Sequence, residues 1–309
     1  MAKVFCARPD GWPHPLKRFA AALLAALAAP RTAAACAACG CGDPTLAAVG
    51  AEKPFDGRLR LSVDARYRTD AVGVKGVDRL ELGELRSDLQ VAWSPTAAWA
   101  LLATLPVGYR RIDYVNGSSQ NTSFVGDPEL RAKAYVWQDR RFDPRHLLGV
   151  VAGLTLPLGT ALGESTGRVP LELGVSLGVP TALVGLSYAG FARPWSMYAS
   201  ATLSSAFYTA KDGDKPSTSA RSTLAVQHQT TPSLALRASA HLRVDQVATS
   251  EFKDDPNSGG WVAFAGPEVL FALGGDATAF AYLRVPFASG LRGNHDEGPI
   301  VGLGLVWDR

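Results

Sequence analysis

The stretch Arg58-Leu-Arg-Leu-Ser-Val-Asp-Ala-Arg-Tyr-Arg68 decides the fold. In an extended chain Leu59, Leu61, Val63, Ala65 and Tyr67 share one side. Arg58, Arg60, Ser62, Asp64, Arg66 and Arg68 share the other. A strict period of two belongs to a β-strand; a helix would scatter these residues around its circumference. One face is therefore apolar and the other highly charged.

The same alternation returns along the chain. Leu85, Leu89, Val91 and Trp93 oppose Glu84, Arg86, Asp88 and Gln90. Trp99, Leu101, Ala103, Leu105, Val107 and Tyr109 share a face. Leu130, Ala132, Ala134 and Val136 oppose Glu129, Arg131 and Lys133. Trp195, Met197, Ala199, Ala201 and Leu203 oppose hydroxyl residues and Tyr198. Leu236, Ala238, Ala240, Leu242 and Val244 oppose Arg237, Ser239, His241, Arg243 and Asp245. Ala279, Ala281, Leu283 and Val285 oppose Tyr282 and Arg284, and Val301, Leu303, Leu305 and Trp307 close the series. The runs near Val169–Ala192 and Val262–Ala272 alternate poorly.

Between these runs, short connections (near 94–98, 139–145, 193–194, 231–233 and 274–276) alternate with long polar ones (near 70–79, 116–123, 159–170, 211–219, 250–260 and 289–298). Threading strands between them predicts an all-β, up-and-down antiparallel barrel of about twelve strands that spans a membrane, with both termini on the short-turn side. A secreted β-sandwich also alternates. Three features favour the barrel: the even strand count with alternating short and long connections, the near absence of charge on the apolar faces, and aromatic residues at strand ends. Trp93, Trp99, Trp137, Trp195 and Trp307 fall near the short turns; Tyr67, Tyr109, Tyr208, Trp261 and Phe287 fall near the long loops. Such belts suit two membrane interfaces.

Composition agrees. The 309 residues are 47% hydrophobic and 19% charged, yet glycines and Pro180 interrupt the uncharged stretch from Leu173 to Ala192. It is a poor spanning helix, and strands remain the means of crossing lipid.

Residues 1–35 read as a signal peptide: Lys3, Arg8, Lys17 and Arg18, an apolar run from Phe19 to Ala29, then Pro30, Arg31, Thr32 and Ala33 to Ala35. This predicts export and a place in the outer membrane of a Gram-negative cell, with both barrel termini periplasmic, outer-membrane lipid around the wall and the barrel-assembly machinery as a partner. Removing the leader takes five basic residues and one acidic one, leaving 26 and 27, so the mature chain is near neutral. The precursor's basicity carries no argument for nucleic acid.

Residues 36–56 form a Cys-rich N-terminal segment ahead of a barrel at 57–309. Cys36, Cys39 and Cys41 lie within six residues. In the periplasm an oxidised pair is the default, leaving one thiol for a periplasmic partner. Three thiolates with Gly40 and Gly42 between and after them would also suit Cu(I) or Zn. Acylation at Cys36 is a third reading, although Ala33 stands where a lipobox usually has Leu. No histidine follows, which excludes c-type haem attachment. Beyond this cluster the sequence predicts no cofactor.

On the barrel reading the inward charges are Arg58, Arg60, Asp64, Arg66, Arg68, Glu84, Arg86, Asp88, Glu129, Arg131, Lys133, Arg237, Arg243, Asp245, Glu268 and Arg284, with His241 among them. They can pair across the lumen and fill it, or their cationic surplus can favour anions in an open pore.

Phe124-Val-Gly-Asp-Pro-Glu-Leu-Arg-Ala-Lys-Ala-Tyr135 and Gly153-Leu-Thr-Leu-Pro-Leu-Gly159 resemble the Gly-Asp-x-x-Leu, Ala-Lys-Tyr and Leu-Pro-x-Gly pieces of the outer-membrane barrel family labelled for the meta-cleavage pathway of phenol degradation. The resemblance implies a channel for aromatic or other hydrophobic compounds. Its motifs are confined to residues 124–159.

Two other functional classes remain: a scaffold whose Cys segment recruits a metal or redox partner, and an outer-membrane hydrolase. The mature histidines are His146, His228, His241 and His295. No Gly-x-Ser-x-Gly elbow, metal-binding histidine pair or phosphate-binding loop accompanies them, so the chain does not read as an enzyme.

Overall fold

The computed structural model describes residues 56–140, 143–162, 176, 178–210, 213–256 and 258–309. The expected signal peptide and the cysteines at 36, 39 and 41 lie outside the described residues.

Among the described residues the structure is all β, with no helix. Three long strands open it: β1 (Arg58–Val72), β2 (Leu80–Thr96) and β3 (Trp99–Tyr114). The fourth stave has two pieces, β4 (Ser119–Val125) and β5 (Glu129–Gln138). So has the fifth, with β6 (His146–Thr155) and β7 (Thr160–Leu162). Then come β8 (Thr181–Ala192), β9 (Trp195–Ala206), β10 (Ser219–Thr231) and β11 (Leu234–Asp245). A small hairpin, β12 (Thr249–Ser250) with β13 (Lys253–Asp254), occupies the next loop. β14 (Gly260–Gly274), β15 (Ala277–Ser289) and β16 (His295–Asp308) complete the wall.

Each stave pairs antiparallel with its sequence neighbour, and β1 also pairs with β16, so twelve staves close into a barrel. Closure through the β1–β16 ladder pairs the first and last staves, the condition for a β structure in lipid, where unpaired backbone groups find no water. The seam lies between Arg60–Val72 and His295–Asp308. Leu59 and Arg309 exchange backbone hydrogen bonds of 2.8 and 2.7 Å. Beside them Arg58 donates to Asp308 at 3.0 and 2.8 Å, and Arg60 at 2.7 and 2.8 Å.

Period two becomes inside and outside as expected. Leu61, Val63 and Tyr67 of β1 are exposed on the outer wall, while Arg60, Ser62 and Asp64 are buried inside. The aromatic residues of both belts stand exposed at the strand ends, from Trp93, Trp99, Trp137 and Trp195 at the short-turn end to Tyr67, Tyr109, Tyr208, Trp261 and Phe287 at the other. Trp307 is half-buried.

Some boundaries differ from expectation. Residues 116–123, expected as a long loop, hold the start of β4, because Asp113 and Ser119 pair and a four-residue turn suffices. The long loops 70–79 and 289–298 are trimmed by β1 and β16, and β8 begins only at Thr181. At the short turn after β5, Asp139 accepts the backbone N–H groups of Arg145 and His146 at 2.8 and 3.0 Å. The His146 bond foremost holds its carboxyl below the usual carboxylate range.

Both interrupted staves break at the same height, between β4 and β5 and between β6 and β7. The buried Asp127 fills the break. It accepts Gly159 N–H at 2.8 Å and the Ser176 hydroxyl at 2.7 Å. A side chain at Gly126 would press on Pro106, and one at Gly159 on Asp127 itself. The Gly-Asp and Leu-Pro-x-Gly pieces of the sequence are thus two sides of one joint. Asp127→Ala is expected to lower stability by about 1–3 kcal/mol, since it orphans donors at a buried site. An unchanged heat-modifiability midpoint on gels would contradict this.

Candidate functional site: the barrel interior

The inner wall is chemically divided. On one side β1, β2, β5, β11, β14, β15 and β16 carry charge; on the other, β6, β8 and β9 carry small, hydroxyl and apolar groups.

The charges on the polar strand faces lie opposite the exposed apolar residues. Arg58 and Arg60 meet Asp308 at the short-turn end. Higher up, Arg66 and Arg86 share Asp88 at 3.1 and 2.8 Å, and Arg68 pairs with Glu84 at 3.0 Å. Asp64 accepts the Tyr282 hydroxyl at 3.1 Å, and the guanidinium of Arg284 lies 4.3 Å from the centre of that ring. Glu129 pairs with Arg131. Lys133 is buried, its ammonium 4.2 Å from the centre of the Tyr135 ring. Arg243 pairs with Asp245 at 2.6 Å and also with Glu297.

The driest group is Arg237 with Glu268, 3.1 Å apart, with side-chain exposures of 1% and 4%. Arg237 also donates to Gln227 at 2.5 Å, and Ser239 donates to Glu268 at 2.8 Å. A buried ion pair persists only when hydrogen bonds offset its desolvation, and these side chains supply part of that offset.

Sequence reasoning missed several inward charges. Arg110 hides in an Arg-Arg pair of which Arg111 faces out. Asp70, Glu297 and Asp308 were assigned to loops or to the chain end. Arg221 lies in a strand whose outer face carries Ser222 and so blurs the alternation. His295 of β16 is buried here too, its Nε2 2.7 Å from Asp70.

Two apolar groups also turn inward in the short-turn half: Leu147, Ala189, Phe191, Tyr198 and Ala225, and Ala235, Leu270, Phe280, Tyr282 and Val306. Phe280 and Tyr282 stack in parallel, 6.2 Å between centroids. Their register partners on β16 are Gly304 and Gly302, where the missing side chains leave room for the rings. Likewise Gly149 and Gly153 on β6 make room for the stems of Lys133 and Arg131.

His241 contacts Thr223 and Ser239 hydroxyls at 3.0 and 3.1 Å. Glu268 bonds to Ser239 rather than to the imidazole, the reverse of the order that activates a serine through a carboxylate-oriented histidine. His146 and His228 sit on the outer face against Tyr188 and Trp195. The arrangement can hold water and ions along a charged track, and its groups are wired to one another rather than to a nucleophile.

No family model matches the chain, and no curated protein matches it. Among solved structures the chain is similar to the COG4313 outer membrane channel from Pseudomonas putida F1, at 13% identity, covering 82% of this chain and 96% of that one, with a TM-score of 0.63. It shows weaker likeness to the NanC porin, at 11% identity, 80% and 98% coverage and a TM-score of 0.47. The CymD monoaromatic hydrocarbon channel follows at 10% identity, 82% and 89% coverage and a TM-score of 0.43. The protein therefore has the closed antiparallel fold seen in an outer-membrane channel.

Proposed function

We propose that this protein is an outer-membrane channel for small molecules. One observation carries the reading: a closed twelve-stave barrel whose outside is apolar and aromatic-belted and whose inside is charged and hydroxylated. Lipid outside and water inside is the arrangement that makes such a wall stable. On this reading the short turns and both ends of the described barrel face the periplasm, consistent with an export leader.

The charged track favours hydrophilic, and above all anionic, solutes. A second reading, a hydrophobic permeant, draws on the inward apolar groups around Phe191 and Phe280 and on the resemblance of residues 124–159 to the phenol-degradation family. Protein refolded into planar lipid bilayers is expected to give discrete conductance steps. Silence at every voltage would refute an open aqueous pore.

A further inference from the structure

Arg221 is the one inward arginine of β10. In a twelve-stave barrel β10 stands across the bore from β1 and β2. Its guanidinium interacts electrostatically with Arg66 of β1 and Arg86 of β2, and with Arg243 and Asp245 of the neighbouring β11. Arg131 of β5 interacts with it too. Arginines from five staves therefore converge on one level of the bore.

The carboxylates at this level are already engaged. Asp88 serves both Arg66 and Arg86, Glu129 serves Arg131, and Asp245 with Glu297 holds Arg243. Arg221 makes one long hydrogen bond, to the Ser219 hydroxyl at 3.4 Å. No carboxylate of the described residues reaches ion-pair distance from it. Beside it, the register partner on β9 is Thr202 and the next on β8 is Gly185. Neither can cover it, and Arg221 stays exposed to the bore.

We propose that Arg221 is the centre of an oxyanion-binding site in the channel, taking a carboxylate or phosphate group of a passing solute. The guanidinium fork presents parallel donors that match such a group, and flanking arginines add field without occupying the site. Low-dielectric walls focus that field on the bore, so the same site sets the ion preference. The proposal deepens the channel reading, and part of its test is independent of conduction.

The test compares wild type with Arg221→Gln, Arg221→Lys and Arg221→Glu, each first shown to fold by heat-modifiability. Reversal potentials in a KCl gradient are expected to show anion preference in wild type and Arg221→Lys, a loss of preference in Arg221→Gln, and cation preference in Arg221→Glu. Calorimetric titration of inorganic phosphate into the detergent-folded barrel is expected to weaken about tenfold or more in Arg221→Gln and measurably in Arg221→Lys, which keeps charge but loses the fork. Ion preference and phosphate affinity that are both unchanged in Arg221→Gln would overturn the proposal and leave the channel intact. A change in preference without phosphate binding would also overturn it, since a diffuse field would then suffice. If wild type never conducts but binds phosphate through Arg221, the channel reading falls and the site stands.

Discussion

Glu268→Ala is expected to destabilise the barrel by about 3–5 kcal/mol, because it leaves the Arg237 charge buried without its partner. Few sites in the inner wall are as dry, with side-chain exposures of 1% and 4% for the pair. The guanidinium would keep Gln227, but that amide cannot neutralise it. Ser239 would lose an acceptor as well. Urea unfolding of the reconstituted barrel, followed by tryptophan fluorescence, measures the change. The double variant Arg237→Met, Glu268→Leu removes both charges together and is expected to recover most of the loss, since well-packed apolar replacements of buried pairs are often neutral or better. A single variant within about 1 kcal/mol of wild type would show that water reaches the pair and screens it.

The second large effect is expected at β16. A methyl group at Gly304 would collide with the backbone carbonyl of Val63, at the seam, and with the Phe280 ring. At Gly302 it would meet the far end of the Tyr282 ring. A ring can swing away; a carbonyl in a ladder cannot without breaking the register that closes the barrel. Gly304→Ala is therefore expected to cost about 3 kcal/mol or to prevent folding, and Gly302→Ala about 1–3 kcal/mol. Adding Tyr282→Ala should relieve the second and leave the first unchanged, once the cost of Tyr282→Ala alone is subtracted. The folded fraction on unboiled gels reads both, and equal sensitivity of the two positions would contradict the account.

How much of this was legible in the sequence depended on which wall a strand belongs to. β1 and β2 pair Arg, Asp and Glu inside with Leu, Val and Tyr outside, so each position announces its face. β6 reads Leu147, Val151 and glycines inside and Leu148, Val150 and Leu154 outside. Both faces are apolar or empty, the period vanishes, and register comes only from pairing with β5 and β8. The same holds for Phe280, whose ring packs inward over Gly304, and for its register partner Leu270: by type alone neither can be told from an outward lipid contact. Charged interior residues at strand ends, such as Asp70, Glu297 and Asp308, were missed because strand length there is set by cross-strand partners rather than by local pattern. Arg221 was missed because Ser222 and Ala220 on the outer face give little contrast with Ser219 and Thr223 inside.

The seam has a kinetic meaning. Arg58 and Arg60 grip Asp308 across a separation of about 250 residues, and the β1–β16 ladder continues above them. The barrel cannot finish by local steps, since its final pairing joins its first and last strands. Contacts of such sequence separation slow folding, because loop-closure entropy is spent before they form. The first strand must wait, its arginines and its outward Leu61 and Val63 exposed together, until β16 is present. Such a waiting edge is open to the wrong partner, so the protein has to be kept from pairing with itself or others until the last strand arrives.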